Sequence, residues 1–155
     1  MINIIGAVGK NNEIGLNNKL LWYLPNDLKF FKNMTLNKTI IMGSNTFKSV
    51  GTLPNRKIIV LTRNKIDNIL TFNNINDCLN YIKNDEVFVI GGESIYRQFL
   101  EYANNLYLTK IDATTKADTY FPHFDKREWN VEHLESGIDN GISYQRNKYV
   151  RKKVK

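Results

Sequence analysis

Short apolar runs alternate along this chain with segments that have helical spacing, and this alternation limits the folds open to it. Each run is rich in Ile, Val or Leu, and the strand-like runs are too short to be helices. Runs of this kind are typical of buried strands in parallel sheets. They are Ile2–Val8, Thr39–Met42, Lys57–Leu61, Ile69–Phe72, Glu86–Ile90 and Leu106–Ile111.

Helical segments separate most of these strands. We predict helices over Pro25–Thr35, from a capping Ser44 onward, from a capping Asn76 through Lys83, and over Ser94–Tyr102. Near the end, Trp129–Glu135 and Ile142–Val150 predict a hairpin across residues 137–141. The sequence therefore predicts an α/β fold, with one domain over 1–155. We expect an eight-stranded, mostly parallel sheet covered on both faces by about four helices, with an antiparallel C-terminal hairpin strand.

Composition narrows the class of protein. The chain has 155 residues, enough for one domain with a full core, and a net charge of +7. This charge suits an anionic partner, either nucleic acid or a small polyanion. We expect a cytoplasmic protein, because no apolar run is long enough to span a bilayer and no signal peptide is recognisable. The single cysteine, Cys78, excludes an internal disulfide and is expected to be a buried thiol.

One carboxylate stands out at the start of the first predicted helix. Trp22 precedes a Leu-Pro step, and Pro25 suits the first position of a helix. Asp27 then falls in the first turn, with Phe31 one turn later on the same face. Acidic residues are common in first turns because the helix dipole favours them, so capping is one interpretation. The other is that Asp27 is the polar anchor of an apolar pocket.

Three predicted strands end in groups that could bind phosphate. Gly91-Gly92 and Gly43-Ser44 each connect a strand to a helix, where glycine lets the backbone approach a ligand. Arg63 follows a third strand and could pair with a phosphate. Ligands of open parallel sheets bind at such strand ends, so a dinucleotide is one interpretation. Tight packing and ordinary surface loops are the alternatives for each group taken singly.

Other chemistries find less support in the pattern. His123 and His133 have no ligand spacing, so no metal site is predicted. Tyr144, Arg146, Lys148 and Tyr149 could imitate a nucleic-acid surface, but we interpret them as an edge strand with solvated charges.

Taken together, these residues resemble dihydrofolate reductases of the bacterial chromosomal type, from about Ile2 to Val150. The resemblance is carried by Ile14-Gly15, Trp22-Tyr23-Leu24-Pro25 with Asp27, Ile41-Met42-Gly43 with Thr46-Phe47, Leu53-Pro54-Asn55-Arg56, Ile90-Gly91-Gly92 with Ile95-Tyr96, Leu108-Thr109 and Asp118-Thr119-Tyr120-Phe121-Pro122. It implies NADPH-dependent reduction of dihydrofolate to tetrahydrofolate, which supplies one-carbon metabolism and thymidylate synthesis. It also implies binding of antifolates, no nucleic-acid or membrane partner, and a monomer.

The resemblance assigns the substrate site. Asp27 would bind the amino-pyrimidine edge of the pterin and assist protonation of the ring through a water that Trp22 helps to hold. In this comparison Asp27 is the only ionisable group of the pterin pocket. The remaining substrate residues would line the pterin site (Ile5, Ala7, Ile90 and, through water, Thr109), sandwich the aminobenzoyl group (Leu28, Phe31, Val50, Leu53) and clamp the glutamate carboxylate (Arg56).

The resemblance also assigns the cofactor site. Arg63 with Thr62 would bind the 2′-phosphate that distinguishes NADPH from NADH, and a cis bond would join Gly91 to Gly92. The segment Gly9–Leu24 would be a lid over the nicotinamide. Further cofactor contacts are implied for Ala7, Ile14, Gly15, Leu20, Gly43, Ser44, Thr46, Leu61, Glu93, Ser94, Ile95 and Tyr96.

Two alternatives stay open at this point. The first is a reductase of another pterin-like or pyrimidine ring, which Arg56 and Phe31 disfavour because they would serve the aminobenzoyl-glutamate tail. The second is a basic nucleic-acid-binding domain, which charge alone supports. Glu93 follows the glycine pair, so its negative charge would lie beside the negatively charged diphosphate; its side chain must therefore turn outward or find a cation.

Overall fold

An eight-stranded sheet forms the centre of the molecule. In a computed structural model that describes residues 1–153, its strands are β1 (Ile2–Val8), β3 (Thr39–Gly43), β4 (Lys57–Leu61), β5 (Leu70–Phe72), β6 (Val87–Val89), β7 (Asn105–Ile111), β9 (Trp129–Asp139) and β10 (Ile142–Arg151). They run across the sheet in the order β5-β4-β3-β6-β1-β7-β10-β9. Neighbours from β5 to β7 pair in parallel, and β10 pairs antiparallel with both β7 and β9. The predicted fold class is confirmed; residues 154–155 of the predicted domain lie outside the described part.

In the described part of the chain, four α-helices flank the sheet: α1 (Pro25–Thr35), α2 (Ser44–Val50), α3 (Ile75–Ile82) and α4 (Glu93–Phe99). Inward-pointing residues on one sheet face, including Ile5, Met42 and Phe88, pack against Phe30 and Phe47 of α1 and α2. The opposite face packs against α3 and α4 in a separate apolar cluster. Both faces of the parallel strands are therefore covered, as the apolar runs predict.

Two predicted helix caps are wrong. Gly43 holds the capping position of α2 in an extended conformation, and Ser44 is the first helical residue, because β3 continues without a break to Gly43. The cap of α3 is Asn74 rather than Asn76. Its side chain accepts a hydrogen bond from the backbone N–H of Asp77 at 2.9 Å. The helix predicted over residues 94–102 ends at Phe99 and continues as a 3-10 turn over Leu100–Tyr102.

The C-terminal hairpin is longer and its turn tighter than predicted. Asn140 and Gly141 alone form the turn, with φ of 50° and 79°, and β9 extends to Asp139. Positive φ at both turn residues matches the twist of the flanking strands, so a two-residue connection suffices.

A second, two-stranded sheet joins the segment predicted as a lid to a connector later in the chain. Here β2 (Glu13–Gly15) pairs antiparallel with β8 (Thr119–Tyr120). A 3-10 turn over Lys126–Glu128 leads into β9. The small sheet lies beside the carboxyl end of β1, which places it at the mouth of the cavity described next.

Candidate active site

A cavity of about 1230 Å³ opens at the carboxyl ends of the central parallel strands. Strand ends, α1, α2, the start of α4 and the lid segment all contribute to its wall. All but two of the residues predicted to bind a ligand line it. The exceptions are Trp22 and Thr109; the lining ones are Ile5, Ala7, Ile14, Gly15, Leu20, Asp27, Leu28, Phe31, Gly43, Ser44, Thr46, Val50, Leu53, Arg56, Leu61, Thr62, Arg63, Ile90, Gly91, Gly92, Glu93, Ser94, Ile95 and Tyr96.

Asp27 projects from the first turn of α1, where Pro25 begins the helix. Its Oδ1 atom accepts hydrogen bonds from the Thr109 hydroxyl at 2.6 Å and from Arg146 Nη2 at 3.1 Å. Its backbone N–H donates to Asp139 Oδ2 at 3.0 Å. The side chain is 21% exposed, so the carboxylate is held from behind and reaches the cavity in front.

Arg146 corrects two predictions. It is 2% exposed rather than solvated, because β10 is an inner strand between β7 and β9 and not an edge. Tyr144 and Tyr149 on the same strand are also buried, so the surface array of aromatic and basic residues does not form. Its guanidinium contacts Asp27 directly from behind the cavity wall, a neighbour that the sequence did not predict.

Thr109 and Trp22 do not line the cavity. Thr109 on β7 is 2% exposed, and its hydroxyl accepts a hydrogen bond from Arg146 Nε at 3.1 Å while donating to Asp27. Trp22 is half-buried, and its ring covers Gly9 so closely that a Cβ on that glycine would lie 2.7 Å from Trp22 Cη2. Gly9 therefore has no room for a side chain where the lid segment leaves β1.

The backbone at the deep end of the cavity is fixed by Tyr96. Its hydroxyl lies 2.8 Å from the carbonyl oxygen of Ile5 and 3.0 Å from that of Ile90, joining β1 to the residue after β6. Burial raises the pKa of Tyr96, so the phenol keeps its proton and donates it. A Cβ on Gly6 would lie 2.8 Å from the Tyr96 oxygen, which explains a glycine at this position of the strand.

Arg56 is preorganised at the far end of the apolar wall. Its guanidinium donates to Thr35 Oγ1 at 3.0 Å, the Pro54 carbonyl at 2.8 Å and the Lys32 carbonyl at 3.1 Å. An arginine has five N–H donors, so one hydrogen on each terminal nitrogen remains for a further acceptor. This geometry suits a carboxylate, which accepts two parallel hydrogen bonds.

Glycine backbone forms the opposite wall. The Gly91-Gly92 peptide is cis, as the resemblance implies, and the Gly43 N–H donates to the Gly91 carbonyl at 2.9 Å. A Cβ on Gly92 would lie 3.6 Å from Thr46 Oγ1, and one on Gly43 would lie 3.0 Å from Ile95 Cγ1. These positions leave a groove of backbone between α2 and α4. Arg63 is exposed beyond the end of β4 and also borders the cavity.

Both carboxylate oxygens of Glu93 are hydrogen-bonded to protein groups beside this groove. One carboxylate oxygen accepts the Tyr120 N–H at 2.7 Å, and the other pairs with Arg97 at 2.8 Å. The Tyr120 backbone N–H and then Arg97 hold the pKa of Glu93 below its ordinary value. The expectation that this side chain turns outward or finds a cation is confirmed, and the contact joins α4 to β8.

The lid segment is tied down at its base and at its tip. Glu13 is 1% exposed and accepts hydrogen bonds from Asn11 N–H, Thr114 Oγ1 and Thr115 N–H. At the tip, the Ser49 hydroxyl of α2 donates to the Asn18 carbonyl, so the segment spans the cavity mouth.

Several cavity residues escaped sequence reasoning. The lid tip and α2 contribute polar side chains, and Asp118 accepts the Asn17 N–H at 3.0 Å. The missed lining residues include Asn18, Lys19, Lys32, Asn45, Ser49, Asn73, Asn74, Arg97, Gln98, Asp118 and Thr119. Asp118 and Thr119 belong to a motif that carries the family resemblance, but that motif did not mark them as ligand contacts. Polar residues are ordinary in loops and on the outer faces of helices, so no sequence signal distinguished the others. Within residues 1–153 there is no group of three or more His, Cys, Asp or Glu able to hold a metal, and no helix long and apolar enough to cross a membrane.

Comparisons with known proteins agree on one family. The family model described as dihydrofolate reductase matches residues 1–151. A dihydrofolate reductase of Bacillus subtilis is 41% identical over 142 residues, which cover 88% of this chain and 84% of the relative. One from Buchnera aphidicola of Acyrthosiphon pisum is 45% identical over 128 residues, covering 79% and 80%. A solved Enterococcus faecalis dihydrofolate reductase complexed with NADP(H) and RAB-propyl superposes with a TM-score of 0.88 at 34% identity, covering 99% of this chain and 97% of that one.

Proposed function

The chain belongs to the dihydrofolate reductase family, and we propose that Asp27 is the group around which it reduces dihydrofolate with NADPH. The reaction converts 7,8-dihydrofolate to 5,6,7,8-tetrahydrofolate, and antifolates bind the enzyme. The observation that supports the role of Asp27 is its place in the cavity. Its carboxylate is the acidic group of α1 at the apolar wall formed with Leu28 and Phe31, and it is held from behind by Thr109 and Arg146.

The cavity fits the cofactor. NADPH supplies the hydride when it is bound. A groove of glycine backbone, which a Cβ at Gly43 or Gly92 would narrow, suits close approach of a diphosphate, with Thr46 beside it. Arg63 would bind the 2′-phosphate with Thr62, while Ala7 and Ile14 would contact the nicotinamide. The remaining proposed cofactor contacts are Gly15, Leu20, Ser44, Leu61, Gly91, Glu93, Ser94, Ile95 and Tyr96.

The substrate would occupy the other half of the cavity. Asp27 would accept hydrogen bonds from the amino-pyrimidine edge of the pterin and favour protonation of the ring nitrogen next to the reduced carbon. Leu28, Phe31, Val50 and Leu53 would enclose the aminobenzoyl group. The two free N–H groups of Arg56 would clamp the glutamate carboxylate.

The residues behind the wall would support these contacts. Trp22 would help to hold a water near Asp27, and Thr109 would orient the carboxylate through its hydroxyl. Ile5 and Ile90, whose carbonyls Tyr96 fixes, would present those carbonyls to the pterin, since a carbonyl oxygen has two lone pairs. The lid segment would exclude water from the nicotinamide.

We also propose that the enzyme works as a cytoplasmic monomer of one domain, without nucleic acid or membrane partners. The assigned residues line one cavity, so the proposed site needs no residue from a second copy. Cys78, the only cysteine, is buried, which fits a reducing compartment.

An Asp27→Asn variant tests the proposed role. We expect its kcat/KM for dihydrofolate at neutral pH to fall by about a hundredfold or more, since loss of a proton-supplying group commonly costs this much. The asparagine oxygen can still accept from Thr109 and Arg146, so the fold should persist, as measured by circular dichroism and by NADPH binding. Turnover is followed by NADPH absorbance.

The matched control is Asp112→Asn, which removes an exposed carboxylate that pairs with Lys10 at the surface. This variant should keep wild-type turnover. Full activity in Asp27→Asn would reject the role of Asp27 without touching the family assignment.

A further inference from the structure

The guanidinium of Arg146 connects two carboxylates and a hydroxyl behind the cavity wall. Its Nε donates to Thr109 Oγ1 at 3.1 Å, its Nη1 to Glu135 Oε2 at 2.8 Å and its Nη2 to Asp27 Oδ1 at 3.1 Å. The side chain is 2% exposed, whereas Glu135 is 54% exposed. Arg146 therefore links a carboxylate that faces solvent to one that faces the cavity.

The strand register places these groups together. Arg146 lies opposite Thr109 on β7 and opposite Glu135 on β9. A β-bulge follows at once, because Asn147 is the partner of His133 and Leu134 is the extra residue. Bulges redirect side chains and are frequent beside functional sites. The guanidinium carbon lies 4.1 Å from the centre of the Phe30 ring and 5.0 Å from that of the Tyr144 ring, so both aromatic rings contact the planar group.

The hydrogen-bond directions in this cluster follow from the donors. Arginine has no acceptor, so its Nε–H donates to the Thr109 oxygen. The single hydroxyl proton of Thr109 is then directed to Asp27 Oδ1. Asp27 Oδ1 receives two donors, whereas no group within residues 1–153 forms a hydrogen bond with Oδ2.

We propose that Arg146 is a positioning residue for dihydrofolate reduction, acting through Asp27. It holds Asp27 Oδ1 and the Thr109 hydroxyl in one arrangement, so that the carboxylate presents both lone pairs of Oδ2 to the amino-pyrimidine edge of the substrate. Glu135 pairs with the same guanidinium, so the buried positive charge of Arg146 is shared between two carboxylates and does not fall on Asp27 alone. This inference rests on the proposed role of Asp27.

The arrangement also explains why lysine would not substitute. One ammonium group cannot contact Thr109, Asp27 and Glu135 with the fixed angles of a guanidinium, and it would not stack on Phe30 as a planar group does. Arg146 thus contributes geometry as well as charge.

An Arg146→Met variant tests this proposal. We expect kcat/KM for dihydrofolate to fall about tenfold or more, because a misoriented catalytic group costs one to two orders of magnitude in rate. KM for NADPH should stay within about twofold, since the Arg146 guanidinium donates to Thr109, Glu135 and Asp27, none of which is a proposed cofactor contact. In an Asp27→Asn background the same substitution should lower kcat/KM by less than about twofold, because Arg146 acts through Asp27.

Arg151→Met is the matched control. Arg151 lies on the same strand, but it donates to the carbonyls of Ala103 and Leu100 and stacks 4.2 Å from the Trp129 ring, away from the cavity. Arg151→Met should lower the melting temperature but leave kcat/KM for dihydrofolate close to that of the wild type. If Arg146→Met does not fold, Arg146→Lys is measured against the same criteria.

The outcomes separate the two proposals. A dihydrofolate-specific loss in the Arg146 variant that disappears in the Asp27→Asn background supports the inference. The inference is overturned if Arg146→Met leaves kcat/KM for dihydrofolate unchanged, or if it raises KM for NADPH by as much as it lowers kcat/KM for dihydrofolate. It is also overturned if the substitution lowers kcat/KM as much in the Asp27→Asn background as in the wild type. Full activity in Asp27→Asn itself would instead overturn the proposed role of Asp27.

Discussion

At the scale of single residues, Asp27 is asymmetric. Both of its side-chain hydrogen bonds end on Oδ1, one from a hydroxyl and one from a guanidinium. Hydrogen bonds to an ionised group are stronger than neutral ones, so one oxygen is well fixed while the other stays available. In the proposed function, this asymmetry would leave Oδ2 to accept hydrogen bonds from the pterin while Oδ1 fixes the orientation of the carboxylate.

Arg63 provides a residue-scale prediction about cofactor choice. It is exposed at the cavity rim beyond β4, so its contribution should be confined to a phosphate that reaches the rim. We expect Arg63→Ala to raise KM for NADPH by about ten- to a hundredfold, the range that a lost hydrogen bond to a charged group implies. KM for NADH should change by less than about threefold. Steady-state kinetics with both cofactors measure the difference.

Lys83→Ala is the control for Arg63, because it removes the same charge from an exposed position at the end of α3. Equal losses for NADPH and NADH in Arg63→Ala would remove Arg63 from the 2′-phosphate.

Sequence reasoning found Asp27 but missed the residue behind it. Asp27 is marked locally by Pro25 and the helix start, so a short window suffices. Arg146 lies in a run of polar and charged residues that is typical of a solvated edge. Its burial follows from strand order, which inserts β10 between β7 and β9. No local pattern contains that information.

At the scale of elements, the lid segment combines a fixed base with a polar tip. Burial raises the pKa of the Glu13 carboxyl, but hydrogen bonds from Thr114 and from backbone N–H groups, including Thr115 and Asn11, outweigh burial and lower it to about 2. The ionised carboxylate therefore fastens β2 to the loop that follows β7.

This lowered pKa predicts a pH-dependent stability. A carboxyl whose pKa is depressed on folding stabilises the protein above its ordinary value of 4.5, and that contribution is lost as pH falls toward about 2. We expect Glu13→Gln to lower the free energy of unfolding by up to about 3 kcal/mol at neutral pH. The difference from wild type should shrink as pH falls below about 4.5. Urea unfolding at a series of pH values measures it.

Glu101→Gln is the control, since Glu101 is exposed in the 3-10 turn after α4. Its unfolding free energy should follow wild type across the series. If Glu13→Gln lowers the free energy of unfolding by the same amount at every pH, then packing of the side chain, and not its ionisation, stabilises the lid segment.

Elements were predictable where apolar periodicity was strong. The bounds of β1, α1 and β4 agree with prediction because apolar runs, Pro25 and Gly9 mark their ends. The small sheet was not predicted, because its three- and two-residue strands exist only by pairing across about a hundred positions of sequence. The observed hairpin turn is shorter than the predicted one over residues 137–141, because Asn140 and Gly141 are the residues there that adopt the positive φ that a two-residue turn requires.

At the scale of the whole molecule, the charge of +7 should aid capture of two anionic ligands. We expect the association rate of NADPH to fall as ionic strength rises from about 0.01 to 1 M, over which the Debye length shrinks from about 30 to 3 Å. Stopped-flow fluorescence measures this rate. NADH, which lacks the 2′-phosphate, should show a shallower dependence.

The dissociation rate of NADPH is the internal control, because steering acts on encounter and changes release less. An association rate that does not respond to salt would mean that the positive charge is spread too evenly to guide ligands.

The position of β10 has a consequence for biosynthesis. A growing polypeptide that has not yet exposed residues 142–151 outside the ribosome can pair β1 with β6, but β7 and β9 have no strand to join them. It also lacks the guanidinium that holds Asp27. Substrate capture should therefore begin only late in translation, and a stalled chain ending before this strand would show an unpaired β7 edge to other proteins in the cell.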